Sequence, residues 1–198
     1  MPLIFITAYS GLVDRARLQP GSTVLVHGGA DGVGHMAVQI AQAMGAQVFA
    51  TANPGDQECV AQWGATPIDY TAQSVEQYVK QHTAGVGFDL VFDTVGGATL
   101  DSSFAAVKHY GHVVSALGWG THALAPLSFR EATYSGIFMT GKNRAHHGDM
   151  LREAARLVEA GKLRPLVDPT HYDLSTAEAA YASVTGRQRP GKVLVTVG

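Results

Sequence analysis

The stretch HGGADGVGH, residues 27–35, carries the residues best suited to hold a ligand. It lies between an apolar run and a run of helical period. A glycine-rich turn of this kind leaves backbone N–H groups pointing out of a helix N-terminus, where a phosphate or pyrophosphate is favoured. The spacing G-x-G-x-x-G falls on Gly29, position 31 and Gly34, with Gly32 extra. The middle position normally lets the backbone approach a pyrophosphate closely. Here it is Asp31, whose carboxylate adds bulk and negative charge beside an anionic ligand unless it points outward. Gly32, Gly34 and the Val33 N–H remain available. The turn reads as a dinucleotide site, with its affinity left open by Asp31.

The second strand of such a site usually ends in a carboxylate for the adenosine ribose. That place is Ala52-Asn53, so a strict preference for NAD is not supported. A 2′-phosphate would want Lys or Arg nearby; residues 53–58 offer none, and Asp56 and Glu58 oppose it. NAD versus NADP stays open on these residues. A methyltransferase binding an adenosyl cofactor on the same kind of sheet would also want the absent carboxylate.

Other chemistries fit less well. The chain has nine histidines, but His109 and His112 straddle a helix and a strand, and the adjacent His146 and His147 diverge. With no cysteine beside them they read as surface or turn residues, and no metal site is expected. Gly28, Gly32 and Gly34 also fit the G-x-x-x-G-x-G of short-chain dehydrogenases. That chemistry needs a Tyr four residues before a Lys, and none of the seven tyrosines has one. No G-K-[ST] loop exists, which removes a P-loop NTPase. No Ser/His/Asp set stands out. Asp93 could be catalytic in isolation, but at a strand end it reads as a structural hydrogen-bonding group.

These residues need a scaffold that gathers strand ends. TVLVHG (Thr23–Gly28) predicts a buried strand, followed by a helix with Val33, Ala37, Ile40, Ala41 and Met44 on one face. Strands follow at Ala46–Ala52, Ala65–Tyr70, Phe88–Val95 and His112–Gly118, with helices at Glu58–Trp63, Ser74–His82 and Leu100–Lys108 between them. Strands such as TVLV and LVF are apolar on both faces. The expectation is an α/β, Rossmann-type doubly wound parallel sheet with helices on both faces. Beyond Gly120 the pattern loosens. THALAPLSF predicts a strand or loop, Ser128–Tyr134 and Gly148–Ala160 predict helices, and the tail predicts a short helix at Thr176–Ser183 and a closing strand in GKVLVTVG.

Composition agrees with one large α/β domain. The 198 residues are 46% hydrophobic and 15% charged, with 23 glycines for tight strand-to-helix turns. A net charge of −2 gives no case for nucleic acid or an anionic membrane. Cys59 is alone, so no intrachain disulfide is expected, and a cytoplasmic setting suits it. MPLIFIT is apolar but short and lacks the marks of a signal peptide. It reads as an element whose context lies upstream.

TAYSGLVDRARLQPGSTVLVHGGADGVGHMAVQIAQAMGAQVFATA, FDLVFDTVGGATL, HVVSALG and GKVLVTV together resemble the medium-chain dehydrogenase/reductase superfamily. The likeness spans essentially the whole chain and is nearest the zinc-independent quinone oxidoreductase branch. There the loop usually reads like HGGAGGVG, so Asp31 is a departure. The resemblance implies hydride transfer from NADPH to a quinone or activated alkene, in a cleft between this cofactor domain and an N-terminal catalytic domain. Residues 1–165 would be the dinucleotide-binding domain, and 166–198 a tail returning to the catalytic domain. Without that domain the fragment should not turn over substrate.

The resemblance also carries over residues. Thr7 and Tyr9 match positions approaching the nicotinamide. Gly32, Val33 and Gly34 match the pyrophosphate loop. Tyr70 resembles a tyrosine near the adenosine phosphate of NADPH-using members, with Asp56 where a lysine usually joins it. Thr94, Val95, Leu117 and Gly118 end strands at the ligand crevice, and Phe138 approaches the nicotinamide. Tyr9, Val95, Leu117 and Phe138 have a plain alternative as core residues. Zinc-dependent relatives have a cysteine ligand where this chain has Leu3, which cannot bind zinc. Relatives pair edge strands near the THALAPLSF segment, which implies a homodimer. The competing readings are a scaffold module with a degenerate dinucleotide fold, and a relative of the zinc-type alcohol dehydrogenases.

Overall fold

The computed structural model describes residues 2–138, 144–186 and 191–197. The chain divides into two compact units, Met1–Leu163 and Arg164–Gly198. The first opens with helix α1 (Pro2–Tyr9), which runs on into a wider turn of helix over Ser10–Arg15. Strand and helix then alternate: β1 (Thr23–His27), α2 (Gly34–Ala43), β2 (Gln47–Ala52), α3 (Gln57–Gln62), β3 (Thr66–Asp69), α4 (Val75–Thr83), β4 (Phe88–Asp93), α5 (Ala98–Ala106) and β5 (Val107–Ser115). After α6 (Ala125–Arg130) and β6 (Thr133–Gly136) comes α7 (Arg144–Glu159).

All six strands are parallel, in the order β3-β2-β1-β4-β5-β6. The direction of winding reverses between β1 and β4, and ligands bind above such a switch point at the carboxyl ends of the strands. Successive strand residues alternate between two cores. Val24, Val26, Val48, Ala50, Leu90, Phe92 and Val114 pack with α1, α2 and α7. Leu25, Phe49, Val91 and Val113 pack with Tyr78 of α4, Phe104 of α5 and Leu127 of α6. The expected doubly wound sheet is therefore the observed one. At its amino end the Asp89 carboxylate accepts from the Thr23 N–H and hydroxyl, both at 2.7 Å, and pairs with Lys108.

The expectations failed where punctuation outweighed periodicity. The helix expected at Ser128–Tyr134 is instead α6, which starts before Pro126; proline sets its first turn. Glu131, at φ 50°, ends it in the left-handed region, and Thr133–Gly136 becomes the sixth strand. THALAPLSF, expected as strand or loop, therefore supplies the start of a helix. Strand β5 begins at Val107, well before the expected His112, across a register irregularity at Phe88/Leu90. MPLIFIT is mostly helix α1.

In the second unit Asp173 caps a short 3-10 turn by accepting from the Ser175 and Thr176 N–H groups, and α8 (Ala177–Thr185) follows. The closing strand shrinks to Val195–Thr196 (β8), paired in parallel with Tyr172–Asp173 (β7).

Candidate functional site

A row of four polar side chains crosses the sheet at its carboxyl end, on the α4–α6 face. It lies one step beyond the apolar layer of Phe49, Leu25, Val91 and Val113. Its members are Thr51 of β2, His27 of β1, Asp93 of β4 and Ser115 of β5, all buried. Thr51 Oγ1 lies 3.3 Å from His27 Nδ1, and the Ser115 hydroxyl donates to Asp93 Oδ2 at 2.7 Å. Burial lowers the His27 pKa to about 4, against a smaller opposing pull from Asp93, so the imidazole is neutral near pH 7. Its Nε2 has no partner among the described residues.

Three members of the row, Thr51, Asp93 and Ser115, each fasten a loop of the crevice above. Thr51 Oγ1 accepts from the Gly28 N–H at 3.1 Å, and the Thr51 carbonyl accepts from Gly29 at 2.9 Å. Asp93 Oδ1 accepts from the N–H groups of Val95 (3.1 Å) and Gly96 (3.0 Å). Ser115 Oγ accepts from Leu117 N–H at 3.2 Å. The Thr94 hydroxyl closes the gap between β4 and β1 by donating to the His27 carbonyl at 2.7 Å. Three loops are thus held by one layer of side chains.

The glycine turn is built by close approach. Gly28 sits at φ +74°, where a side chain is disfavoured. A Cβ on Gly34 would overlap the Gly28 carbonyl oxygen and stand 2.8 Å from its carbon. A Cβ on Gly29 would meet the Ala50 Cβ at 2.5 Å. The turn delivers the amides of Gly32, Val33 and Gly34 to the N-terminus of α2, where a helix has no carbonyl of its own to offer them. Asp31 N–H is used inside the turn, on the Gly28 carbonyl at 2.9 Å. Its carboxylate leans over the crevice: Asp31 Oδ2, Thr94 Oγ1 and Val95 Cγ2 all lie within 3 Å of the point a Gly28 Cβ would occupy. The backbone here fits a pyrophosphate, and one side chain opposes it.

The remaining expected residues divide into those gathered and those not. Asn53 and Tyr70 are paired, the phenol donating to Asn53 Oδ1 at 2.6 Å beyond the ends of β2 and β3. Val95 and Leu117 are both partly exposed, and their loops touch where Gly96, at φ +75°, passes the Leu117 carbonyl too closely for any Cβ. Gly118 and Phe138 line a cavity of about 160 Å³ with Ser115, Tyr134 and Trp119. Trp119 meets Phe138 edge to face at 5.7 Å.

Thr7 is buried, and its hydroxyl donates to the Leu3 carbonyl within its own helix. Tyr9 is not brought to the glycine turn. It stacks on Phe5 and lines a cavity with Ile40, Ala43, Met44, Glu153 and Arg156, beside the opposite end of α2. That is about 13 Å from Gly34 at 1.5 Å per helical residue. Burial, with Glu153 and Asp14, raises its pKa.

Sequence reasoning missed Thr51, Ser115 and Trp119. The available signals were polar residues interrupting the inward stripe of an apolar strand, and an aromatic directly after the fifth-strand turn. Among the described residues no three His, Cys, Asp or Glu side chains converge as metal ligands, and no helix is long and apolar enough to cross a membrane.

A family model described as zinc-binding dehydrogenase matches residues 63–195. The chain belongs to that family and is a cofactor-binding part of a medium-chain dehydrogenase/reductase, an oxidoreductase class whose nicotinamide dinucleotide binds on this domain. An alcohol dehydrogenase superfamily protein from Novosphingobium aromaticivorans is 55% identical, with TM-score 0.94 over 99% of this chain and 62% of its own. The CurK enoyl reductase is 28% identical, with TM-score 0.84 over 100% of this chain and 61% of its own. The spectinabilin polyketide synthase system protein NorB of Streptomyces orinoci is 30% identical over 100% of this chain. The chain spans about three fifths of those solved structures and 9% of NorB.

Proposed function

We propose that this chain is the cofactor half of an NAD(P)H-dependent reductase that passes hydride to a quinone or an activated alkene. The observation that carries the proposal is the convergence of three tethered loops over the β1/β4 switch point, with helical amides at one side and an aromatic wall at the other. A bound dinucleotide would supply the hydride. The amides of Gly32, Val33 and Gly34 would hold the pyrophosphate, and Asn53 and Tyr70 would meet the adenosine. Thr94, Val95, Leu117 and Gly118 would line the path of the nicotinamide ribose. Trp119 and Phe138 would give a flat conjugated acceptor an apolar face. Hydride transfer between two bound π-systems depends mainly on holding donor and acceptor carbons in register, so positioning supplies most of the rate.

The enoyl reductase among the similar structures supports an alkene acceptor, and the loop's likeness to the quinone oxidoreductase branch supports a quinone. The rest of the substrate pocket would come from a region the solved relatives have beyond this chain's span, with residues 166–198 serving it. The exposed edge strand β6 would serve a homodimer.

Asp31 motivates the competing reading, a scaffold that has lost its ligand. A nicotinamide-fluorescence titration of the chain separates the two. Saturable binding is expected, and Asp31→Asn should tighten it by about tenfold, a scale set by two charges a few ångströms apart at a partly exposed site. No binding by either protein, with the fold intact, would contradict the proposal.

A further inference from the structure

The adenosine end of the site admits a sharper statement, resting on the dinucleotide reading above: we infer that it is built for an unphosphorylated ribose, so that the cofactor is NADH rather than NADPH. The pair at this end is neutral. Tyr70 donates to Asn53 Oδ1 at 2.6 Å, which leaves the amide N–H groups as what Asn53 offers a ligand. Both residues are exposed beyond neighbouring strands. An amide satisfies a ribose hydroxyl. A 2′-phosphate, with close to two negative charges at neutral pH, calls for a cation instead.

Strands β1–β3 and the helices between them supply none. Residues 18–79, which build β1, α2, β2, α3 and β3, contain no lysine or arginine. Their two histidines, His27 and His35, are buried. The same segment carries Asp31, Asp56, Glu58, Asp69 and Glu76. Asp69 ends β3 directly beside Ala52, and hydrogen bonds from the Thr71 hydroxyl and N–H hold its pKa below the usual carboxylate range, so it is charged.

Seven cations of the first unit are committed or distant. Lys108 pairs with Asp89 at the amino end of the sheet. Arg130 donates to the Pro126 and Ala105 carbonyls. Arg152 and Arg156 pair with Asp149 and Glu153 on their own helix. Lys80 sits in the last turn of α4, the end away from Tyr70, and Arg15 and Arg17 precede β1. A 2′-phosphate at Asn53 would therefore exchange water for a negative surface.

Parallel titrations of the full chain with NADH and NADPH test this. NADH should bind at least about tenfold more tightly at low ionic strength, and the gap should narrow as salt screens the carboxylates. Asp56→Lys should raise NADPH affinity more than NADH affinity, since the 2′-phosphate adds negative charge that NADH lacks. NADPH binding as tightly as NADH to the unaltered chain would overturn this inference and leave the dinucleotide reading standing. Binding of neither would overturn both.

Discussion

Gly34→Ala should cost the fold about 3 kcal/mol or more and abolish dinucleotide binding, at or beyond the upper end of the range for an added methyl in a packed region. The reason is that the new Cβ meets backbone rather than side chain: the Gly28 carbonyl oxygen and carbon and the Gly29 Cα. No rotamer change relieves such a clash. Either α2 withdraws from β1, opening the core around Met36, Ala37 and Ile40, or the turn flattens and carries its amides away from the crevice. Gly55→Ala is the control, because a Cβ there meets no atom within 4 Å and its φ is not left-handed. It should stay within about 0.5 kcal/mol of the unaltered protein, as surface substitutions generally do. Urea denaturation of both variants measures the difference. A Gly34→Ala protein as stable as the Gly55→Ala protein would contradict the packing described.

Asp93→Ala should be comparably severe, through a different cause. The carboxylate is 0% exposed and accepts from two loop amides and the Ser115 hydroxyl. Truncation leaves three donors without that acceptor, and each buried donor left unsatisfied costs about 1–3 kcal/mol. The residues released are those that set the Val95–Gly96 and Leu117 backbones, so cofactor affinity should fall with stability. Asp93→Asn keeps the shape and one acceptor oxygen but turns an N–H2 toward groups that themselves donate. It should therefore fall between the two. Denaturation midpoints and nicotinamide titrations on the three proteins check this order; an Asp93→Ala variant within 1 kcal/mol of the unaltered chain would sink the claim that Asp93 anchors the crevice.

Much of this architecture is legible in the sequence because parallel strands buried on both faces leave continuous apolar runs, and the glycine turn marks the first strand-to-helix connection. What escaped depends on register. Thr51, His27, Asp93 and Ser115 each look like the polar stop of one strand. They become a row only when β2, β1, β4 and β5 are aligned, and alignment is not written in any single strand. The same holds for Asn53 and Tyr70, both recognisable alone, whose hydrogen bond follows from the pairing of β2 with β3. Strand β6 was hidden by its brevity and exposure, since TYSG has no alternating pattern to read. Where Tyr9 points is likewise set by what its helix packs on, here the far end of α2 and α7, rather than by its neighbours in sequence.

Where a dinucleotide touches this chain decides between a working pyrophosphate site and an empty turn. Backbone amide chemical shifts, followed by NMR as NADH is added, address that directly. The largest changes should fall on Gly32, Val33 and Gly34, with further changes at Asn53, Val95–Gly96 and Leu117–Gly118 and none around Tyr9. Saturable binding that leaves the Gly32–Gly34 amides unmoved would show that the glycine turn is not the pyrophosphate site.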